Sequence, residues 1–142
     1  MGVVGRILSE GGKLTICVLE EEGSCEVLDF LERQKRSNRA YFGGMIALIQ
    51  HISGMGLPLH NKRMAEMVGT RPPKEIVEIK KGNLRLFGFI DPRRPGILIL
   101  AHGWMKSQGN VRRQNDQIAK AEEIFARYKQ MPEVPIERGA AS

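Results

Sequence analysis

The chain has 142 residues, of which 42% are hydrophobic and 27% charged, and its formal net charge at pH 7 is +6. This length suits one domain with a single core, and the composition is typical of a soluble globular protein. The apolar runs 45–49 and 97–101 are too short to cross a bilayer, and the first residues lack the apolar stretch of a signal peptide. We therefore expect a cytoplasmic protein with no membrane segment.

The first half of the chain predicts one strand and two helices. Residues 1–12 are glycine-rich, and we expect them to be flexible. The β-branched and apolar content of 13–19 favours a short strand. Ser24 is a suitable N-cap for a helix to about residue 36, and Asn38 for a second helix that stops at Gly54. The short link between these helices predicts an antiparallel hairpin.

The second half predicts three strands and a final helix. After a loop at 56–69, with room for one helical turn, the strands cover 75–81, 84–90 and 96–102. Their short connections favour an antiparallel meander. An amphipathic helix spans 114–130, and we expect a flexible tail at 131–142. The order β-α-α-β-β-β-α predicts a single α+β domain over 13–130, with the helical hairpin packed on a small, mainly antiparallel sheet.

Positive charge is concentrated in one part of the sequence. Residues 62–113 hold twelve basic and four acidic side chains, a net charge of +8, whereas the rest of the chain carries −2. Such a concentration of positive charge favours a polyanion as binding partner, and nucleic acid is the first candidate. An acidic protein segment is the second. A basic but merely solvated surface is the alternative.

Candidate site residues gather where the predicted strands meet. Strict alternation places Arg85 on one face with Phe87 and Phe89, and His102 on one face with Leu98 and Leu100. Antiparallel pairing brings the start of the strand at 84–90 beside the end of the strand at 96–102. We therefore expect Arg85 and His102 at one end of the sheet. Lys80 and Lys81 on the preceding strand and Lys106 just after His102 add further positive charge near this end.

A cluster of cations is costly unless an anion docks there, and an RNA phosphate would suit it. Cleavage by the neighbouring 2′-hydroxyl needs a proton acceptor, charge stabilisation on the phosphorane and a proton donor. Arg85 suits charge stabilisation, His102 suits either proton role, and a lysine crowded by cations could serve as a base. Trp104 could stack on an unstacked base.

Structural alternatives exist for each of these residues. His102 could cap the strand end through a backbone hydrogen bond, and Trp104 could belong to the core. Arg85 and Lys80 could pair with Glu75 or Glu78 across the sheet.

Metal chemistry is not expected. His51 and His60 have no partners at ligand spacing, and Cys17 and Cys25 are too few for a zinc site or a disulfide framework. We predict two reduced cysteines, no metal and no cofactor.

Residues 75–128 resemble the RelE/ParE toxin superfamily, closest to its HigB-type, phage-derived branch. The similarity lies in "EIK" (78–80), "LRLFGF" (84–89), "HGWMKS" (102–107) and the helix "IAKAEEIFARY" (118–128). The segment "CEVLDFLE" (25–32) is similar to the first helix of that branch.

The resemblance implies the toxin of a type II toxin–antitoxin pair, which cleaves mRNA at the ribosome without a metal and is silenced by an antitoxin. The family positions correspond to Lys80, Arg85, His102 and Lys106. We predict that catalysis and RNA binding are divided between two sets of residues. The catalytic set is Arg85, His102 and Lys106. The RNA-binding set is Lys80, Lys81, Arg93, Arg94 and Trp104.

One departure keeps a second function open. The branch commonly has two adjacent lysines after its "HGF" element, whereas Lys106 is followed here by Ser107. The alternative is a non-enzymatic binder of the same fold, which inhibits gyrase or acts as one subunit of an autoregulatory complex. Either function implies an antitoxin as partner, expected to be a helix-turn-helix protein. Two assemblies stay open, a homodimer and a heterotetramer with the antitoxin.

Overall fold

The structure is a computed structural model that describes residues 2–107 and 111–138. It contains three helices, α1 (Glu26–Ser37), α2 (Arg39–Met55) and α3 (Val111–Gln130). The strands are β1 (Val3–Glu10), β2 (Thr15–Glu21), β3 (Ala65–Val68), β4 (Ile76–Lys81), β5 (Leu84–Asp91), β6 (Arg94–Met105) and β7 (Ile136–Arg138). The α+β class predicted from the sequence is confirmed.

All seven strands form one mixed sheet in the order β3-β4-β5-β6-β2-β1-β7. Strands β4, β5 and β6 form the antiparallel meander that their short connections predict. The sheet is mixed because β2 pairs in parallel with β6, and β7 in parallel with β1. The β2–β6 pairing requires a long crossover, which the helical hairpin α1–α2 begins.

The sheet is covered by helices on both faces. Side chains of β2, β4, β5 and β6 that alternate inward pack on α1 and α2, with Phe30, Met45 and Ile49 at the centre of that cluster. The opposite face packs on α3 through Phe89 and Phe125, whose rings stack at 4.4 Å between centroids. Both sets of helices therefore bury an apolar stripe on the same sheet.

Three strands lie outside the elements predicted from the sequence. Residues 3–10, expected to be flexible, form β1, which pairs with β2 along its length. The loop at 56–69 contains β3 instead of a helical turn, and the expected tail contains β7. Glycines and prolines around these segments obscured one inner strand, β1, and two short edge strands, β3 and β7. Apolar residues of β1 and β7, such as Ile7 and Ile136, pack on the α3 side.

The first helix begins one residue later than a cap at Ser24 would place it. Cys25 is the N-cap of α1 and makes no side-chain capping bond, while Ser24 pairs with Glu21 in an isolated bridge. Glu26 and Asp29 in the first turn instead stabilise the helix through its macrodipole. Asn38 does precede α2, but likewise without a side-chain capping bond.

The two cysteines are free thiols, as expected, and lie on opposite faces of the sheet. Burial raises the pKa of Cys17 to about 11, and burial also raises the pKa of Cys25. Among the helices within the described ranges, none has both the length and the apolarity needed to cross a bilayer.

Candidate nucleic-acid interface

Two neighbouring rows of side chains cross the meander on the sheet face that α3 covers. The outer row consists of Lys80, Arg85 and Trp104. The inner row consists of Glu78, Phe87 and His102. The structure thus places Arg85 and His102 at the same end and on the same face of the sheet.

A β-bulge is responsible for that shared face. Phe87 pairs with His102, but the next residue, Gly88, pairs with Leu100, so that Ala101 has no partner on β5. The extra residue reverses the alternation of β6. The expectation that His102 shares a face with Leu98 and Leu100 is therefore wrong, because those leucines face the helical hairpin.

Arg85 is held from behind by a buried carboxylate. Its Nη1 donates to the carbonyls of Gly82 at 2.7 Å and Leu84 at 3.0 Å, and its Nε lies 3.3 Å from Oε2 of Glu78. Glu78 is fully buried, and this burial raises the pKa of its carboxyl. Burial lowers the pKa of Arg85, an effect that the charge of Glu78 opposes. The predicted alternative of an Arg85–Glu78 pair is thus what the structure shows.

Arg85 and Lys106 line one shallow cleft of about 240 Å³, together with Gly82, Asn83 and Ser107. The backbone N–H of Lys106 donates to the carbonyl of Asn83 at 2.7 Å, which fixes the end of β6 to the β4–β5 turn. Within residues 2–107 and 111–138, the Lys106 ammonium makes no ion pair, and Nη2 of Arg85 makes no hydrogen bond. Among the described residues, the cleft therefore offers an anion the Lys106 ammonium, which has no ion-pair partner, and the Nη2 of an arginine that Glu78 already pairs through Nε.

His102 does not reach this cleft. Its ring is buried and stacks on Phe87 at 5.9 Å between centroids. Nδ1 lies 2.6 Å from Oε1 of Glu26, and Nε2 contacts the side-chain oxygen of Gln117 on α3. The hydrogen bond from His102 lowers the pKa of Glu26 to about 2, aided by Lys120 at 3.0 Å. The ring is held by side chains, not by the backbone capping bond proposed as its alternative.

Lys80 and Trp104, both assigned to RNA binding, have partners within the fold. The Lys80 ammonium pairs with Glu66 of β3 at 2.6 Å, and this pair lowers the pKa of Glu66. Lys80 thus pairs with neither Glu75 nor Glu78. Trp104 is half-buried and packs on the α3-side cluster, as its core alternative requires.

Arg93 and Arg94 lie at the other end of β5, about 20 Å from Arg85 by strand rise. Arg94 donates to Asp91 at 2.7 Å and to the carbonyl of Val134 at 2.7 Å. Arg93 is exposed, and its Nη2 donates to the carbonyl of Met131. The predicted RNA-binding set is therefore divided, since these two arginines cannot share a phosphate with Arg85.

The basic surface formed by Arg85 and Lys106 at the cleft continues instead onto the helical hairpin. The amide of Asn38 donates to Asn83 at 3.4 Å, which places the α1–α2 corner beside the cleft. This corner carries exposed cations that lie outside the segment 62–113 and were not assigned from the sequence. They are Lys35, Arg36 and Arg39. Lys81 directly precedes the cleft residue Gly82, and its side-chain stem lies against Gly44 of α2.

Several residues of the site had only weak signals in the sequence. Glu26 and Gln117 are distant along the chain from His102, so nothing local linked them. Tyr41 carried a signal: it is an aromatic residue that falls off the apolar stripe of α2, and the structure leaves it 43% exposed beside Gly82.

Within the described residues, no group of three or more His, Cys, Asp or Glu side chains is arranged to hold a metal ion. Comparison of the chain with family models, curated proteins and solved structures returned no match.

Proposed function

We propose that the protein is a toxin of the RelE/ParE type. It binds an RNA phosphate in the cleft of Arg85 and Lys106 and cleaves the RNA there. The observation that carries the proposal is this pairing of a guanidinium held by Glu78 with an ammonium that forms no ion pair within the described residues. Two such donors match the oxygens of a phosphodiester and the extra charge of a phosphorane.

The chemistry divides between these two side chains. The buried Glu78 holds Arg85 so that the outer edge of its guanidinium can bind the phosphorane oxygens. The ammonium of Lys106 can protonate the leaving 5′-oxygen. Among the described residues that line the cleft there is no carboxylate or imidazole, and in this proposal the ribosome or water accepts the 2′-proton. In this arrangement His102 supports the site and transfers no proton.

The test is induction of the protein without its neighbouring gene, followed by mapping of mRNA ends. We expect growth arrest and cleaved transcripts with the native chain. Because each charge-stabilising donor is worth about 10²- to 10³-fold in rate, Arg85→Ala and Arg85→Lys should lose cleavage by at least ~100-fold. Lys106→Ala should also lose it.

Arg93→Ala is the matched control, because it removes one basic charge at the far end of the same hairpin. It should cleave RNA like the native chain. Intact transcripts and normal growth with the native chain would exclude the enzyme. Equal losses in Arg93→Ala would show that the cleft is not the site.

One observation favours a second candidate, a non-enzymatic binder of the same fold. The described part of the cleft supplies cations but no carboxylate or imidazole, and the imidazole predicted to act there is buried and bonded at both nitrogens. Such a protein could inhibit gyrase or serve in an autoregulatory complex. Inhibition of DNA supercoiling with intact RNA would support the binder over the nuclease.

Both candidates include an antitoxin, proposed as a helix-turn-helix protein with an acidic, amphipathic segment that neutralises the basic surface. Co-expression with the adjacent reading frame, followed by pull-down and measurement of the complex mass, tests this partner and distinguishes a heterodimer from a heterotetramer. Recovery of the chain alone from that co-expression would contradict it.

A further inference from the structure

Tyr41, on the first turn of α2, packs against the turn between β4 and β5. A Cβ atom at Gly82 would lie 2.5, 2.6 and 2.6 Å from Cε1, Cδ1 and Cζ of the ring. Three nearly equal distances to adjacent ring atoms place that Cβ position over the face of the phenol. Only a residue without a side chain allows the ring to lie this close, and Gly82 also has a φ of +56°, which favours glycine.

The same ring is accessible to solvent. Tyr41 is 43% exposed, and Gly82 contacts one face of the ring. The ring is fixed by the backbone beneath it, so little conformational entropy is left to lose on binding. A flat, preoriented aromatic face is the surface on which an unstacked nucleobase binds.

The position of Tyr41 connects it to the phosphate cleft. Gly82, which the ring covers, is itself part of the cleft wall with Arg85 and Lys106. Lys81 is the neighbour of Gly82, and Arg39 opens α2 two residues before Tyr41. Within the described part of the chain, neither of these exposed cations makes an ion pair. An aromatic ring and two cations thus lie at the same end of the sheet as the cleft, and single-strand binding surfaces combine these two kinds of side chain.

We propose that Tyr41 is the stacking platform for a nucleobase next to the phosphate bound by Arg85 and Lys106, and that Arg39 and Lys81 bind the adjoining phosphates. The ligand is single-stranded RNA, and the proposal rests on the proposed function because it extends the same cleft. It transfers the stacking role predicted for Trp104 to Tyr41, since Trp104 is half-buried against the α3-side cluster.

The experiment measures binding of a short single-stranded RNA whose 2′-hydroxyls are methylated. This RNA has no nucleophile, so its affinity is independent of cleavage. Loss of one stacked base should weaken binding by roughly 5- to 150-fold in Tyr41→Ala, whereas Tyr41→Phe keeps the ring and should stay within ~3-fold of the native chain. Lys81→Ala should instead reduce the salt dependence of binding.

Leu59→Ala is the control, because Leu59 is also 43% exposed but lies outside the cleft. A second readout is direct: in a Trp104→Phe background, Tyr41→Trp is the only indole, and a stacked base should quench its fluorescence.

Each result separates the two proposals. If Arg85→Ala weakens binding but Tyr41→Ala does not, the stacking platform is wrong and the cleft stands. If both variants bind like the native chain, the RNA cleft itself is wrong. A loss in Leu59→Ala as large as that in Tyr41→Ala, or an unquenched indole, also overturns the proposal. Thermal unfolding of each variant checks that the fold is intact.

Discussion

The His102–Glu26 pair joins parts of the molecule that are far apart in the chain. Glu26 opens α1, His102 ends the buried part of β6, and Gln117 and Lys120 of α3 contact the pair from the other side. One ionised carboxylate therefore holds the elements on both faces of the sheet. A hydrogen bond to the charged form of a carboxylate stabilises that form and lowers its pKa.

This pair predicts a specific pH dependence of stability. The pKa of Glu26 falls from an ordinary 4.5 to about 2 on folding, mainly through its hydrogen bond with His102. A lowered carboxyl pKa contributes stability that is fully present above about 4.5 and is lost as the pH falls towards 2. We expect Glu26→Gln to be less stable than the native chain at pH 6, with the difference shrinking below pH 4.5, as measured by urea unfolding.

Glu32→Gln is the control for that measurement, since it removes the same charge from an exposed position on the same helix. Its difference from the native chain should show no comparable change between pH 4.5 and pH 2. A Glu26→Gln penalty that stays constant over this range would contradict the assignment.

At the scale of elements, α1 approaches β6 closely because the strand has a glycine where they meet. A Cβ at Gly103 would overlap the ring of Phe30 on α1. Gly103 faces α1 because the bulge at Ala101 turned His102 and Trp104 towards α3. The β-bulge that places Arg85 and His102 on one face of the sheet thus also leaves space for α1 on the other face.

We expect Gly103→Ala to lower the free energy of unfolding by about 1–3 kcal/mol through overpacking against Phe30. Phe30→Leu alone is also destabilising, because it removes buried surface. The double variant should lose less than the sum of the single losses, by about 0.5–3 kcal/mol, because the smaller side chain makes room for the new methyl. Denaturant unfolding of the four proteins measures this coupling.

Gly43→Ala on α2 is the contrasting variant, because a Cβ at Gly43 would have no neighbouring atom within 4 Å. It should raise stability by up to about 1 kcal/mol through helix propensity. Strict additivity of Gly103→Ala and Phe30→Leu would show that the two residues do not compete for space.

At the scale of the whole molecule, one sheet separates two apolar clusters, and each contains one thiol. Cys25 belongs to the cluster under α1 and α2, and Cys17 to the cluster under α3. Both thiols are buried, and burial raises the pKa of each, so thiolate is scarce in the folded protein. The thiols therefore report separately on the opening of the two faces.

We expect alkylation of either thiol at pH 8 to be at least ~100-fold slower in the native protein than in denaturant. Single-thiol variants, Cys17→Ala and Cys25→Ala, assign the rates. Equal rates for the two thiols indicate that the sheet and both helical layers open together. Native alkylation of Cys17 as fast as in the unfolded chain would contradict the burial described above.

Local patterns in the sequence were sufficient for much of the fold. Hydrophobic periodicity predicted α1, α2 and α3, and the short connections between the last three predicted strands predicted the antiparallel meander of β4, β5 and β6. The sequence also placed Arg85 and Lys106 near one end of the meander. These features depend on residues close in the chain, where spacing and turn chemistry determine geometry.

What the sequence by itself determined, then, is the α+β class, the helices, the meander and the basic character of one region. Only the tertiary structure decided that β1, β3 and β7 extend the sheet, that His102 is bound by Glu26 and Gln117, and that Arg94 pairs with Asp91 and Val134. It also decided that Tyr41 meets Gly82. The physical reason is that edge pairing, bulges and ion pairs depend on contacts between residues distant in sequence, for which local periodicity carries no information.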